Sequence, residues 1–201
     1  PDKFIAVYRE MSARQASPLV QEYICGDGYG MSALFNEDSE PVAVFCHRRI
    51  REYPVTGGPS CFAESVRDEK MIDYGIRLLK ELRWYGIAMV EFKREHDTGE
   101  YKLMEINPRF WGSLPLALEA GVDFPLLLYR VARGEDVRQA TDYRIGVKMR
   151  YLFQDLLSVR GYLKRVPDRG AFLRGFIRDL LNLRVADGVF RLDDPLPGVV
   201  Y

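Results

Sequence analysis

The feature that most restricts this chain is a pair of short segments, IAMVEFK at 87–93 and YKLMEIN at 101–107, separated by the polar stretch HDTGE at 96–100. Val90, Phe92, Met104 and Ile106 alternate with polar neighbours, which is the period of a strand with one buried face, so the segment predicts a β-hairpin. A turn centred on Thr98 sets Glu91 directly opposite Glu105. Side chains so opposed stand about 5 Å apart at Cβ, and two like charges at that distance are destabilising unless a cation lies between them. Asn107 and Arg109 continue the alternation on the same face.

Glu91, Glu105 and Asn107 are all hard oxygen donors, a set that suits Mg²⁺ or Mn²⁺ with substrate phosphates and not zinc. Arg109 offers a planar, permanently charged fork for phosphate oxygens. The residues alone leave a second reading open, an edge hairpin whose acids are merely solvated.

Around this hairpin the pattern is mixed. KFIAVY, PLVQEYI, MSALF and PVAVFCHRRI between Lys3 and Ile50 are rich in β-branched and aromatic residues and separated by Gly, Asn, Asp and Pro, so each is expected to be a strand, with a short helix over Arg9–Ala16. Ile72, Ile76, Leu79 and Leu82 fall on one side of a helix over 68–85. Helices are predicted at 114–120 and 125–133, closed by Gly121 and Gly134. Beyond Thr141 one strand in IGVKMRY and helices at 151–160 and 170–183 are expected, with ten Lys or Arg against four Asp between Thr141 and Arg184. That basic stretch is read as a solvated helical face over the sheet, with an anionic partner as the other reading.

Composition narrows the classes of function. With 47% apolar residues among 201 the chain can build a real core. Twenty-nine basic residues balance 29 acidic ones, so no global field recommends a nucleic acid or an anionic membrane as partner. Cys25, Cys46 and Cys61 form no CxxC pair, and no apolar run reaches the roughly 18 residues of a membrane span, so a cytoplasmic protein is expected. The sequence opens at Pro1 directly into KFIAVY without an initiator Met or leader, and is read as lacking an N-terminal part.

AMVEFK followed by YKLMEINPRFWGS resembles the signature of the ATP-grasp superfamily, which includes biotin carboxylase, carbamoyl phosphate synthetase and many carboxylate-amine ligases. The resemblance implies an α+β fold, a largely antiparallel ATP-grasp-type sheet with flanking helices over 1–140, truncated at its N-terminus and followed by a mainly helical extension over 141–201. It implies that Glu91, Glu105 and Asn107 bind magnesium bridging the ATP phosphates, and that Arg109 stabilises the transferred phosphoryl group. PLVQEYICGDG is similar to the family's linker strand, which implies that Gln21, Glu22, Tyr23 and Ile24 meet adenine and that Asp27 meets the ribose hydroxyls. HRRIREYPVTGGPS resembles the basic strand and Gly-rich turn set against the transferring phosphate and the acceptor. Alternation places His47, Arg49 and Arg51 on one face, with Arg49 expected at the phosphoryl group. Arg51, Gly57, Gly58 and Ser60 are expected at the acceptor, through a guanidinium fork and backbone N–H groups.

The function implied is an ATP- and Mg²⁺-dependent ligase acting on small molecules. It activates a carboxylate as an acyl phosphate for attack by an amine or similar nucleophile, and a carbamoyl-phosphate-type reaction lies within the same class. The alternative is a nucleotide-binding module without turnover. The Gly-rich loop and lysine-bearing strands that close the family's cleft are expected before residue 1, which implies that the fragment by itself is inactive.

Overall fold

A computed structural model describes residues 2–190 and Leu196. Its centre is one sheet in the order β5-β4-β1-β2-β3-β6-β7, antiparallel throughout except for the short β6–β7 pair. The strands are β1 (Gly26–Phe35), β2 (Pro41–Glu52), β3 (Ser60–Val66), β4 (Gly86–Glu95), β5 (Tyr101–Asn107), β6 (Lys148–Arg150) and β7 (Ala186–Asp187). Among the described residues six helices accompany them: α1 (Asp2–Arg14), α2 (Glu69–Glu81), α3 (Leu114–Ala120), α4 (Phe124–Ala132), α5 (Leu152–Leu163) and α6 (Arg169–Leu180).

Strand alternation sorts the apolar residues into two cores. Met31, Ala33 and Phe35 of β1, with Val44, Cys46, Ala88 and Val90, pack against Met71 and Leu79 of α2. The opposite face carries Leu34, Ala43, Phe45 and Met89, covered by Trp111, Leu116 and Phe124 from the segment of α3 and α4. α2 starts on Asp68, whose side chain accepts from the Met71 N–H, and α4 starts on Asp123 in the same way. α3 ends on Gly121 in the left-handed region at φ 106°, where a side chain would be strained.

Two strand expectations need correction, and one strand was not expected. KFIAVY is helical, continuous with the helix expected at Arg9–Ala16; Phe4, Ile5, Tyr8 and Met11 recur at helical spacing, and a six-residue apolar run does not by itself distinguish the two periods. PLVQEYI joins no ladder, because β1 begins only at Gly26, and the Gly-rich GDGYG read as punctuation is the first half of that strand. SCFAESV, not expected as a strand, is β3. The segment from 141 onward adds β6 and β7 to the same sheet as well as two helices.

Arg51 explains how those helices are held. Between Arg49, opposite Ala63, and Arg51, opposite Phe62, two steps of β2 face one step of β3, so the strict alternation assumed from the sequence fails at Ile50. Arg51 Nε and Nη2 donate to the two carboxylate oxygens of Asp155 on α5 at 2.6 and 2.9 Å, and Nη1 donates to Asp179 on α6 at 3.0 Å. Its guanidinium also lies 4.3 Å from the centre of the Phe62 ring and 5.0 Å from that of Phe176. Removing one partner of a buried ion pair strands the other charge. Arg51→Met is therefore expected to lower the unfolding free energy by about 3–5 kcal/mol, measured by urea denaturation; a loss below about 1 kcal/mol would contradict the assignment of Arg51 as the anchor.

Candidate functional site

The site is built where four strands present one face. β4 and β5 pair with Met89 opposite Asn107 and Glu91 opposite Glu105, as the hairpin register requires. Past that point the register slips by one residue, Phe92 facing Leu103, so Met104 is the extra residue of a bulge. Met104, expected on the core face, is 46% exposed and lines the cleft beside Glu105.

The opposed carboxylates are joined by neighbouring cations and amides. Asn107 Nδ2 donates to Glu91 Oε1 at 3.1 Å and to Glu105 Oε1 at 2.8 Å. Arg49 Nη2 donates to Glu91 Oε2, and its Nη1 lies 3.4 Å from Glu52 Oε1. Burial pushes the Glu91 carboxyl above its ordinary range, Arg49 pulls it back, and Glu105 adds to the rise. A cation held between the two glutamates would relieve that penalty.

Arg49 makes this contact from a distance. It stands on β2 and Glu91 on β4, with β1 between them, so at about 4.8 Å per strand the guanidinium spans about 10 Å. Glycines keep the lane clear. A Cβ on Gly28 would lie 2.8 Å from Arg49 Cδ, and one on Gly30 would lie 2.3 Å from His47 Cε1. Gly26, Gly28 and Gly30 recur at the strand period of two, a signal in the sequence that went unused.

Two connected chambers open over this face, sharing Arg49, Gly57, Glu91 and Glu105 as their common wall. The larger, about 760 Å³, contains Gln21, Tyr23 and Asp27. Glu22 is exposed outside it, and Ile24 is buried with its carbonyl accepting from Lys93 Nζ at 3.0 Å. Asp27 contacts His96 Nε2 at 3.1 Å. Lys93, which the sequence reading missed, lines the chamber with its ammonium 5.0 Å from the centre of the Tyr23 ring.

The smaller chamber, about 280 Å³, contains Arg109, Gly57, Gly58 and Ser60. The expected anion contact through the turn's N–H groups meets an obstacle, since Gly57 N and Gly58 N both donate to Pro54 O, at 3.3 and 2.8 Å. The turn therefore supplies a wall. Arg51 lines neither chamber: it is the buried anchor of α5 and α6, which corrects its expected place at the acceptor. His47 does line the smaller chamber, 1% exposed, its Nε2 3.2 Å from Ser113 Oγ and its Nδ1 without a hydrogen-bond partner among the described residues.

Burial, reinforced by Arg49, lowers the His47 pKa to about 3. The unfolded chain takes up this proton near pH 6.5 whereas the folded one does so only near 3, so between those values stability falls as pH falls, by at most about 1.4 kcal/mol per unit. His47→Gln is expected to flatten the decline of stability from pH 6.5 to 4, followed by chemical denaturation at each pH. An unchanged slope would show that His47 protonates as readily in the folded state.

These arrangements can be set beside known proteins. A family described as "ATP-grasp in the biosynthetic pathway with Ter operon" matches residues 15–154. Acetyl-CoA carboxylase 2 of Arabidopsis thaliana is 30% identical over 133 residues, which are 66% of this chain and 5% of that protein, so the chain spans only a small part of such relatives. The biotin carboxylase domain of 2-oxoglutarate carboxylase from Hydrogenobacter thermophilus, solved with MgADP, ADP and bicarbonate, superposes with a TM-score of 0.56 at 18% identity, over 73% of this chain and 35% of that one. The phosphoribosylaminoimidazole carboxylase ATPase subunit of Aquifex aeolicus gives 0.55 at 15% identity, over 67% and 43%. The fold is thus the α+β ATP-grasp fold. Within that superfamily, the chain belongs to the ATP-grasp family of the biosynthetic pathway with Ter operon.

Proposed function

We propose that the intact protein is an ATP- and Mg²⁺-dependent ligase that activates a small-molecule carboxylate as an acyl phosphate for attack by an amine or similar nucleophile. The observation that carries this reading is the opposition of Glu91 and Glu105 at the wall common to both chambers. The solved relative with MgADP and bicarbonate supports the choice of nucleotide, metal and oxyanion acceptor.

Glu91, Glu105 and Asn107 would hold Mg²⁺ or Mn²⁺. The donor set fits: Mg²⁺ is held by one or two carboxylates together with phosphates, and the amide beside them is a further hard oxygen donor. When bound, the metal would neutralise charge on the phosphates and hold them in place. Gln21, Tyr23 and Asp27 would receive the nucleoside in the larger chamber, with Glu22 and Ile24 continuing the same segment. Lys93 would add a cation. Arg49 and Arg109 would stabilise charge on the phosphoryl group during transfer, each positioned before the reaction begins. Gly57, Gly58 and Ser60 would shape the acceptor's wall.

Glu105→Gln in the full-length protein is expected to lower Mg²⁺-dependent ATP turnover by about 100-fold or more, while leaving the affinity for metal-free nucleotide within about threefold of the parent. A steady-state assay with calorimetry measures both. Equal Mg²⁺-dependent turnover in mutant and parent would defeat the reading.

A further inference from the structure

The larger chamber has a wall that the family match does not reach. Residues 15–154 carry that match, yet Tyr162 near the end of α5 and Arg165 just beyond it line the chamber opposite the carboxylate hairpin. Both are tied to the backbone that runs from the end of β2 into the turn. Tyr162 Oη accepts from the Glu52 N–H at 2.9 Å, and Arg165 Nη1 donates to the Val55 carbonyl at 2.6 Å. α5 also touches the turn closely, since a Cβ on Gly161 would fall 2.7 Å from Val55 Cγ2. The helix itself is fixed to the sheet through Asp155 and Arg51.

Charge gives this wall a role. Within the chamber Arg49 pairs with both Glu52 and Glu91, and His96 Nε2 contacts Asp27. Two further cations lie outside these pairs. Among the described residues no carboxylate forms an ion pair with Lys93 or with Arg165, and each head group donates to a backbone carbonyl. Lys93 projects from β4 and Arg165 from just beyond α5, so two cations on different elements, neither in an ion pair among the described residues, border one cavity of about 760 Å³. A backbone carbonyl takes only one of the five guanidinium N–H groups, and the others are free for an anion.

We propose that Arg165 is a nucleotide-contacting residue that binds the phosphates of a nucleoside polyphosphate, and that α5 is a working wall of the nucleotide chamber. The proposal rests on the reading of that chamber as the nucleotide site. A guanidinium anchored on one side by Val55 loses little further freedom on binding, so its contact with a phosphate is pre-organised. Through Val55 the same residue couples occupancy of the nucleotide chamber to the position of the Gly57–Gly58 wall.

The test uses the full-length protein with ATP, ADP and adenosine as probes, by calorimetry, with Arg165→Ala, Arg165→Lys and Lys93→Ala beside the parent. Arg165→Ala is expected to weaken ATP and ADP about tenfold and leave adenosine unchanged, with Arg165→Lys in between and the KM for ATP raised more than kcat is lowered. A purely structural staple would predict otherwise, weakening adenosine as much as ATP or leaving all three unchanged, and either result overturns the proposal. If the parent binds ATP and Lys93→Ala weakens it while Arg165→Ala does not, the nucleotide site stands and Arg165 is excluded from it. If the parent binds no nucleotide, the reading of the chamber fails and the proposal with it. Should Arg165→Ala not fold, Arg165→Lys and its ATP-to-adenosine ratio decide the matter.

Discussion

The organisation of the site turns on one electrostatic constraint: two glutamates face each other across a hairpin, a pairing of like charges that is destabilising unless a cation lies close by. Register alone creates the problem, because Glu91 and Glu105 are direct partners. The protein meets it from two sides. Asn107 bridges the pair from the same strand as Glu105, and Arg49 reaches Glu91 from two strands away. Gly28 leaves the intervening strand bare where Arg49 crosses it, since a Cβ there would fall 2.8 Å from Arg49 Cδ. Backbone pairing, the absence of a side chain at Gly28 and the titration of one carboxylate are therefore parts of a single device, and the same constraint is what makes a divalent cation with phosphates a fitting occupant.

A second electrostatic node does structural work elsewhere. Arg51 is two residues from Arg49 in sequence, yet the slip in pairing at Ile50 sends it into a buried cluster with Asp155, Asp179, Phe62 and Phe176. Two neighbouring arginines of one strand thus serve different ends, one at the cleft and one anchoring α5 and α6. The basic stretch beyond Thr141 is held to the sheet by this cluster, and it returns to the cleft through Tyr162 and Arg165.

Much of the fold was legible where periodicity was long and the punctuation clear. The hairpin, α2, and the Gly-closed α3 and α4 follow from spacing and caps. What the sequence concealed has physical causes. KFIAVY is too short for its period to be decided, and it is helical. GDGYG looks like a loop because glycine usually marks one, whereas here alternating glycines open a strand to side chains from its neighbour. Strict alternation was assumed through Arg51 and Met104, and a local slip at each broke it. Of the site, the opposition of Glu91 and Glu105 could be read from a turn centre and a period of two. Lys93, two residues from Glu91 on β4, was open to the same period of two, whereas Tyr162 and Arg165 were not, since only the tertiary structure brings α5 to the chamber.

The central claim is that the opposed glutamates form a divalent-metal and phosphate site, and anomalous scattering from Mn²⁺ tests it most directly. Crystals of the full-length protein grown with Mn²⁺ and a non-hydrolysable ATP analogue are predicted to show an anomalous peak bonded to oxygens of both Glu91 and Glu105, at about 2.0–2.2 Å, with phosphate oxygens completing the shell. A bound nucleotide with no peak there, or a peak only at other residues, would contradict the account.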